Sequence, residues 1–176
     1  SPRWQYWDYA NAGAYFITIC TQDRAHYFGD IYNGKMELSD IGKWAEKCWY
    51  EIKNHADNVS LGSFIVMPNH VHGILELSRG NACVAPTVAP TVAPIIANIG
   101  KSRFQNQEKN TVSSIIGSYK SAVTKHVRRE GYEFAWQSRF HDHVIRDATS
   151  YERISNYIEN NVRKWEEDRF NGNNVV

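Results

Sequence analysis

Cysteine is scarce in this chain of 176 residues: Cys20, Cys48 and Cys83 are an odd number, and none sits in a C-x-x-C pair. That excludes a disulfide framework and a thiolate zinc site, and it fits a reducing compartment, expected to be the cytoplasm. No apolar run approaches the roughly 20 residues of a membrane span, and Ser1-Pro2-Arg3-Trp4 lacks the apolar core of a signal peptide. A soluble protein with no membrane partner is expected. Proline is also sparse, and three of the five prolines fall in one repeat, Val84-Ala85-Pro86-Thr87, Val88-Ala89-Pro90-Thr91 and Val92-Ala93-Pro94. Proline at every fourth position blocks helix and ladder hydrogen bonds, so about 79–110 reads as a surface insertion within one domain spanning 1–176. Acidic residues nearly vanish over 101–129, where Lys101, Arg103, Lys109, Lys120, Lys125, Arg128 and Arg129 face only Glu108. Behind a net charge of +1 there is thus a local basic block, suited either to phosphates or to a solvated helix face.

What is present in quantity is apolar, 42% of the chain, enough for one packed core. Ala14-Tyr15-Phe16-Ile17-Thr18-Ile19-Cys20 is β-branched and aromatic on both faces, the pattern of a strand inside a sheet. Ile41, Trp44, Cys48 and Ile52 follow at helical spacing behind Ser39, a capping residue, predicting a helix over 39–54. A second strand, Ser63 to Met67, stops at Pro68, and a third resumes through His70 to Leu77. Its alternation puts His70, His72, Ile74 and Glu76 on one face, expected to be wet, and Val71, Gly73, Leu75 and Leu77 on a core face. From Thr111 a helix carries Val112, Ile115, Ile116, Tyr119, Val123 and Val127 inward, with Lys120, Lys125 and Arg128 largely opposite. Residues 134–146 read as a further strand region. A last helix is predicted over 150–167, with Ile154, Ile158, Val162 and Trp165 as its core stripe.

Two imidazoles on one face of a strand can hold one divalent metal and leave positions open for substrate oxygens. His70 and His72 do this, and His141-Asp142-His143 repeats the alternation; spacing alone does not say which pair binds metal. In the last helix Arg153, Tyr157, Asn161 and Lys164 form a stripe with Tyr157 one turn before Asn161. That suits a phenolic nucleophile beside an oxygen ligand, and equally a rim tyrosine. Arg3 and Trp4, near Tyr6, Trp7 and Tyr9, suit either base stacking or a terminal arm packed on the core. His70-x-His72-x-x-x-Glu76 also fits part of a cupin metal motif, which would require an all-β small-molecule enzyme; the three helical periods speak against it. A His-triad hydrolase would need histidine where the chain has Ile74.

The ordered set Tyr15-Phe16-Ile17-Thr18-Ile19-Cys20-Thr21, Arg24, Phe28-Gly29, Met67-Pro68-Asn69-His70-Val71-His72, Trp136-Gln137, Arg139-Phe140-His141-Asp142-His143-Val144-Ile145-Arg146 and Tyr157-Ile158-Glu159-Asn160-Asn161 resembles the HUH endonucleases. Within them it resembles the single-tyrosine transposases, and most of all the REP-associated tyrosine transposases. The resemblance covers nearly everything outside the proline repeat. It implies an α+β fold, an antiparallel β-sheet with helices packed on its faces, of the ferredoxin-like palm type. It implies sequence- and hairpin-specific cleavage and rejoining of single-stranded DNA, with Tyr157 as nucleophile through a 5′-phosphotyrosine and Mg²⁺ or Mn²⁺ held by His70 and His72. Asn161 stands where related insertion-sequence transposases have glutamine as a third metal ligand. His141 and His143 match a family segment that is not its metal motif, which leaves them structural or DNA-contacting roles. Candidate DNA contacts are thus Arg3, Trp4, Lys120, Lys125, Arg128, Arg139, His141, His143 and Arg153. The implied partner is single-stranded DNA with hairpin elements, bound by a monomer or homodimer. The alternative is a hairpin-binding protein that has lost cleavage.

Overall fold

The computed structural model describes residues 12–78, 111–167 and 171. Four antiparallel strands form the main sheet in the order β4-β5-β1-β6, with β1 Gly13–Cys20, β4 Val59–Met67, β5 His70–Leu77 and β6 His141–Ile145. β5 lies between β4 and β1, and helices cover the sheet on both sides. His70, His72 and Ile74 are therefore as buried as Val71 and Leu75. The face expected to be wet is a second interior face, because it carries a helix the strand's own alternation cannot reveal.

On one face lie α1 (Asp40–Glu51) and α2 (Val112–Arg129), started by Ser39 and Thr111, whose hydroxyls accept the Gly42 and Ser114 N–H groups at 3.0 and 3.2 Å. Ile41, Cys48, Trp49, Ile116, Tyr119 and Val123 pack there against Tyr15, Ile17, Ile19, Val71 and Leu75. The Trp49 ring stacks on Phe64 at 4.6 Å and occupies the space a Cβ on Gly73 would need, which is why the histidine strand carries glycine at that position. On the other face runs α3 (Ala148–Glu159), capped by Asp147, with Ile154 and Ile158 on Ile74 and Ile145. Each fully buried aliphatic side chain contributes roughly 1.5–3 kcal/mol to holding α3 there. A 3₁₀ turn, Val162–Glu167, then seats Trp165 on Cys20 and Met67.

The antiparallel sheet with helices on both faces is the α+β architecture that the resemblance implied, and its helices exclude the all-β cupin reading. Several elements differ from expectation. The helix over 150–167 is broken: α3 ends at Glu159, Asn160 caps it, and the apolar stripe continues because the 3₁₀ turn also faces inward. Only His141–Ile145 of the region 134–146 is a strand; before it, Trp136 bridges Thr21 alone. β4 begins at Val59 and bulges between Leu61 and Phe64, so that Gly62 and Ser63 both oppose Ile74. A hairpin of β2 (Gly29–Tyr32) and β3 (Lys35–Leu38) was not foreseen; it turns through Asn33 and Gly34, both at positive φ. The proline repeat, Cys83, Arg3 and Trp4 lie outside the described residues. Among the described residues no helix is long and apolar enough to cross a membrane.

Candidate active site

β4 and β5 are joined by a two-residue turn, Pro68-Asn69, which register fixes by pairing Met67 with His70. The loop after β1 cages this turn: the Thr21 N–H and hydroxyl both donate to the Asn69 carbonyl at 2.9 Å, and the Phe28 N–H donates to the Pro68 carbonyl at 3.1 Å. Asp23 and Arg24 adopt left-handed backbone conformations there, at φ 53° and 54°, a strained choice for residues that are not glycine. This presents the Arg24 carbonyl to the Asn69 side-chain amide at 3.2 Å. With its NH₂ so used, Asn69 directs Oδ1 at His70 Nδ1, 2.9 Å away. A carbonyl oxygen only accepts, so His70 carries its proton on Nδ1 and keeps a lone pair on Nε2.

His72 is arranged in the same way from the other side. Thr18 lies directly opposite it on β1, and its hydroxyl meets His72 Nδ1 at 2.8 Å. The two outer nitrogens are thus held by β1 and by the turn, and the inner ones converge: His70 Nε2 and His72 Nε2 are 3.1 Å apart. Two ligands at right angles on one cation, each at about 2.1 Å, would be about 3.0 Å apart, so the pair fits a divalent metal. Both outer nitrogens have the partners that ligating histidines normally have.

Tyr157, in the last turn of α3, puts its hydroxyl 3.5 Å from His72 Nε2 and stays 40% exposed. Its ring packs edge-on to Phe16, whose ring lies 5.2 Å from that of His72. Asn161 follows in the break between α3 and the 3₁₀ turn, its N–H donating to Ile158 and its carbonyl accepting from Lys164. It is 1% exposed, and its Oδ1 has no hydrogen-bond partner among the described residues. On its two sides in sequence, Tyr157 touches His72 and Trp165 packs 6.0 Å from the His70 ring. A buried acceptor without a donor can take a water or a cation. Among the described residues no group of three or more His, Cys, Asp or Glu side chains is placed to hold a metal ion.

The second histidine pair sits on the same face. His141 pairs with Thr18 and His143 with Phe16, so the row His72, Thr18, His141 runs across three strands. Both are exposed, as are Arg139 and Arg153, the latter one turn before Tyr157. Lys125 and Arg128 are also exposed but lie on α2, across the sheet from the site. Lys120 is engaged otherwise: its ammonium donates to the Gln137 and Ser138 carbonyls at 2.6 and 3.3 Å, and burial lowers its pKa. Of the lone histidines, His55 is exposed, His126 stacks on Trp44 at 4.1 Å, and His26 meets Asp30 and the Trp165 ring.

Sequence reasoning did not single out Tyr151, read Thr18 and Trp165 only as strand and core-stripe residues, and weighed Glu76 only as part of a cupin motif. Tyr151 donates to Glu76 at 2.6 Å, an interaction that, with burial, pushes the phenol up to about 12. Only the alternation that set Glu76 on the histidine face could have signalled this. Cys48, in the core on the opposite face, is likewise pushed up to about 11 by burial.

No family model matches the chain. A protein of Haemophilus influenzae described only as uncharacterized is 34% identical over 172 residues, which cover 96% of this chain and 91% of that protein. Among solved structures, a REP-associated tyrosine transposase bound to a REP hairpin has a TM-score of 0.60 at 18% identity, over 94% of this chain and 74% of the other. That likeness shows a shared fold.

Proposed function

We propose, for a chain that belongs to one family with the uncharacterized Haemophilus influenzae protein and has the fold of a tyrosine transposase, that it is a transposase which cuts and rejoins single-stranded DNA beside hairpins, with Tyr157 as nucleophile. One observation carries the reading. Tyr157 Oη, the only one of these groups open to solvent, lies 3.5 Å from His72 Nε2, which in turn faces His70 Nε2 at 3.1 Å. A rim tyrosine has no need of two imidazoles whose outer nitrogens are both tied down.

Held by His70 and His72 with Asn161 Oδ1, Mn²⁺ or Mg²⁺ would polarise a phosphodiester and neutralise the charge that builds on its oxygens. A mixed set of imidazoles and an amide suits Mn²⁺ better than the harder Mg²⁺. A free tyrosine hydroxyl, with a reference pKa of ~10, is a poor nucleophile at neutral pH, so a nearby cation would help form the phenolate, and the exposure of Tyr157 lets the proton pass to water as Oη attacks phosphorus. The P–O3′ bond breaks, the 3′ oxygen takes a proton from water, and the 5′ side remains esterified to Tyr157. Attack by another 3′-hydroxyl reverses the step and frees the tyrosine, so no nucleotide cofactor is consumed. Asn69 holds the His70 tautomer, and the Thr18 hydroxyl can accept from His72 Nδ1, so that both Nε2 atoms can face a cation. His141 and His143 stand on the same face as the site, and with the exposed Arg139 and Arg153 they would take the phosphates and bases next to the cut.

The test is incubation with labelled hairpin oligonucleotides and Mn²⁺ or Mg²⁺, followed by a denaturing gel. A shifted, protease-sensitive band is expected, absent in Tyr157→Phe and in the double variant His70→Ala, His72→Ala. Binding without such a band would make the chain a hairpin-binding protein, and a band that survives in Tyr157→Phe would remove the nucleophile assignment.

A further inference from the structure

The helix that carries Tyr157 touches the sheet at a defined notch. The bulge in β4 sets Gly62 and Ser63 opposite Ile74, and α3 uses both residues. A Cβ on Gly62 would lie 2.5 Å from Tyr151 Oη and 2.9 Å from the Ile74 Cβ, so only glycine leaves room for the phenol. Through that gap Tyr151 donates to Glu76 at 2.6 Å. One residue along the bulge, the Ser63 hydroxyl donates to Glu159 at 3.3 Å, at the other end of the same helix. Glu76 stands on the strand that carries His70 and His72, four residues beyond the second of them and on the same face. One strand therefore holds both the histidines and the anchor of the helix that faces them.

The apolar contacts of α3 do not fix its axial position as sharply. Ile154 and Ile158 meet Ile74, Ile145 and Ile65 through apolar contacts, which have no direction of their own, whereas a phenol that passes a glycine to reach one carboxylate has one seat. A slip of one residue would move Tyr157 by about 1.5 Å and turn it by about 100°. We propose that Tyr151, Glu76 and Gly62 form the seat that sets the register of α3 and thereby holds Tyr157 at His72: Tyr151 and Glu76 are positioning residues for the nucleophile. The proposal rests on the assignment of Tyr157 as nucleophile, and its test keeps the two apart.

Three quantities are measured on Tyr151→Phe, Glu76→Gln and Gly62→Ala in the full chain. They are affinity for a hairpin oligonucleotide, the single-turnover rate of adduct formation at saturating DNA, and the contact between the Tyr157 and His72 rings by NMR. Tyr151→Phe is expected to slow the adduct roughly ten- to a hundredfold, to leave affinity within about twofold, and to weaken the ring contact. Gly62→Ala should do the same. Glu76→Gln keeps an accepting oxygen and should stay within about threefold of the parent rate. An unchanged rate and ring contact in Tyr151→Phe would overturn the seat, as would affinity, rate and melting falling together. If the parent chain forms no adduct, the transposase reading fails, and the ring contact alone decides whether the seat exists.

Discussion

Thr18 and Asn69 decide which nitrogens of the histidine pair are available. Asn69 settles His70 because its own amide is oriented by the Arg24 carbonyl; Thr18 settles His72 by accepting from Nδ1 whenever Nε2 is needed as a ligand. Thr18→Val keeps shape and β-propensity but removes the hydroxyl, and is expected to weaken Mn²⁺ binding roughly 10–100-fold with the fold intact. Calorimetric titration checks this, and unchanged affinity would mean that the hydroxyl does not orient the ligand. Asn161→Ala should also lower Mn²⁺ affinity, since Oδ1 is a buried acceptor that no group among the described residues uses; a titration identical to the parent would remove it from the ligand set. At this scale the sequence was informative about His70, His72 and Tyr157, which belong to local patterns. It could not reveal Thr18, because its partner is 54 residues away and meets it only through strand register.

At the scale of elements, α3 is the member with the most polar ties to the sheet. The folded pKa of Tyr151 is raised from 10.0 to about 12, with the hydrogen bond to Glu76 as the first cause. A group raised on folding gives its full contribution below its unfolded pKa and loses it as pH climbs to the folded value. The melting-temperature advantage of the parent over Tyr151→Phe should therefore be constant from neutral pH up to pH 10 and shrink between pH 10 and 12. An advantage that held unchanged through pH 12 would assign it to something other than the phenol's hydrogen bond. The end of α3 was misread because Val162 and Trp165 prolong the apolar stripe, yet two asparagines in succession, Asn160 and Asn161, favour a cap over helix continuation. The β2–β3 hairpin carried a readable mark, Asn33-Gly34, whose positive φ values match the twist of a tight hairpin. Short strands with few apolar residues around it hid that mark.

Over the whole molecule the sheet is a partition. The basic residues of α2 stand on one side, and the histidines, Tyr157, Arg153, His141 and His143 on the other. Periodicity supplied the elements but not their order, so it could not show that the basic residues of α2 and the site face opposite ways. A short oligonucleotide without a hairpin should lose affinity in Arg153→Ala and keep it in the double variant Lys125→Ala, Arg128→Ala. Equal losses in an anisotropy titration would mean that the strand wraps around the sheet edge. The central place of β5 has a consequence for how the protein comes apart. An amide in a strand bonded on both sides and covered on both faces exchanges with solvent only when the whole sheet opens, whereas a helix seated on one face can lift by itself. In hydrogen exchange, the amides of His70 to Leu75 should be among the slowest and those of the last turn of α3 much faster. On warming, such a protein would lose its nucleophile to local opening while the two imidazoles were still paired, and would cease to act well before it melts.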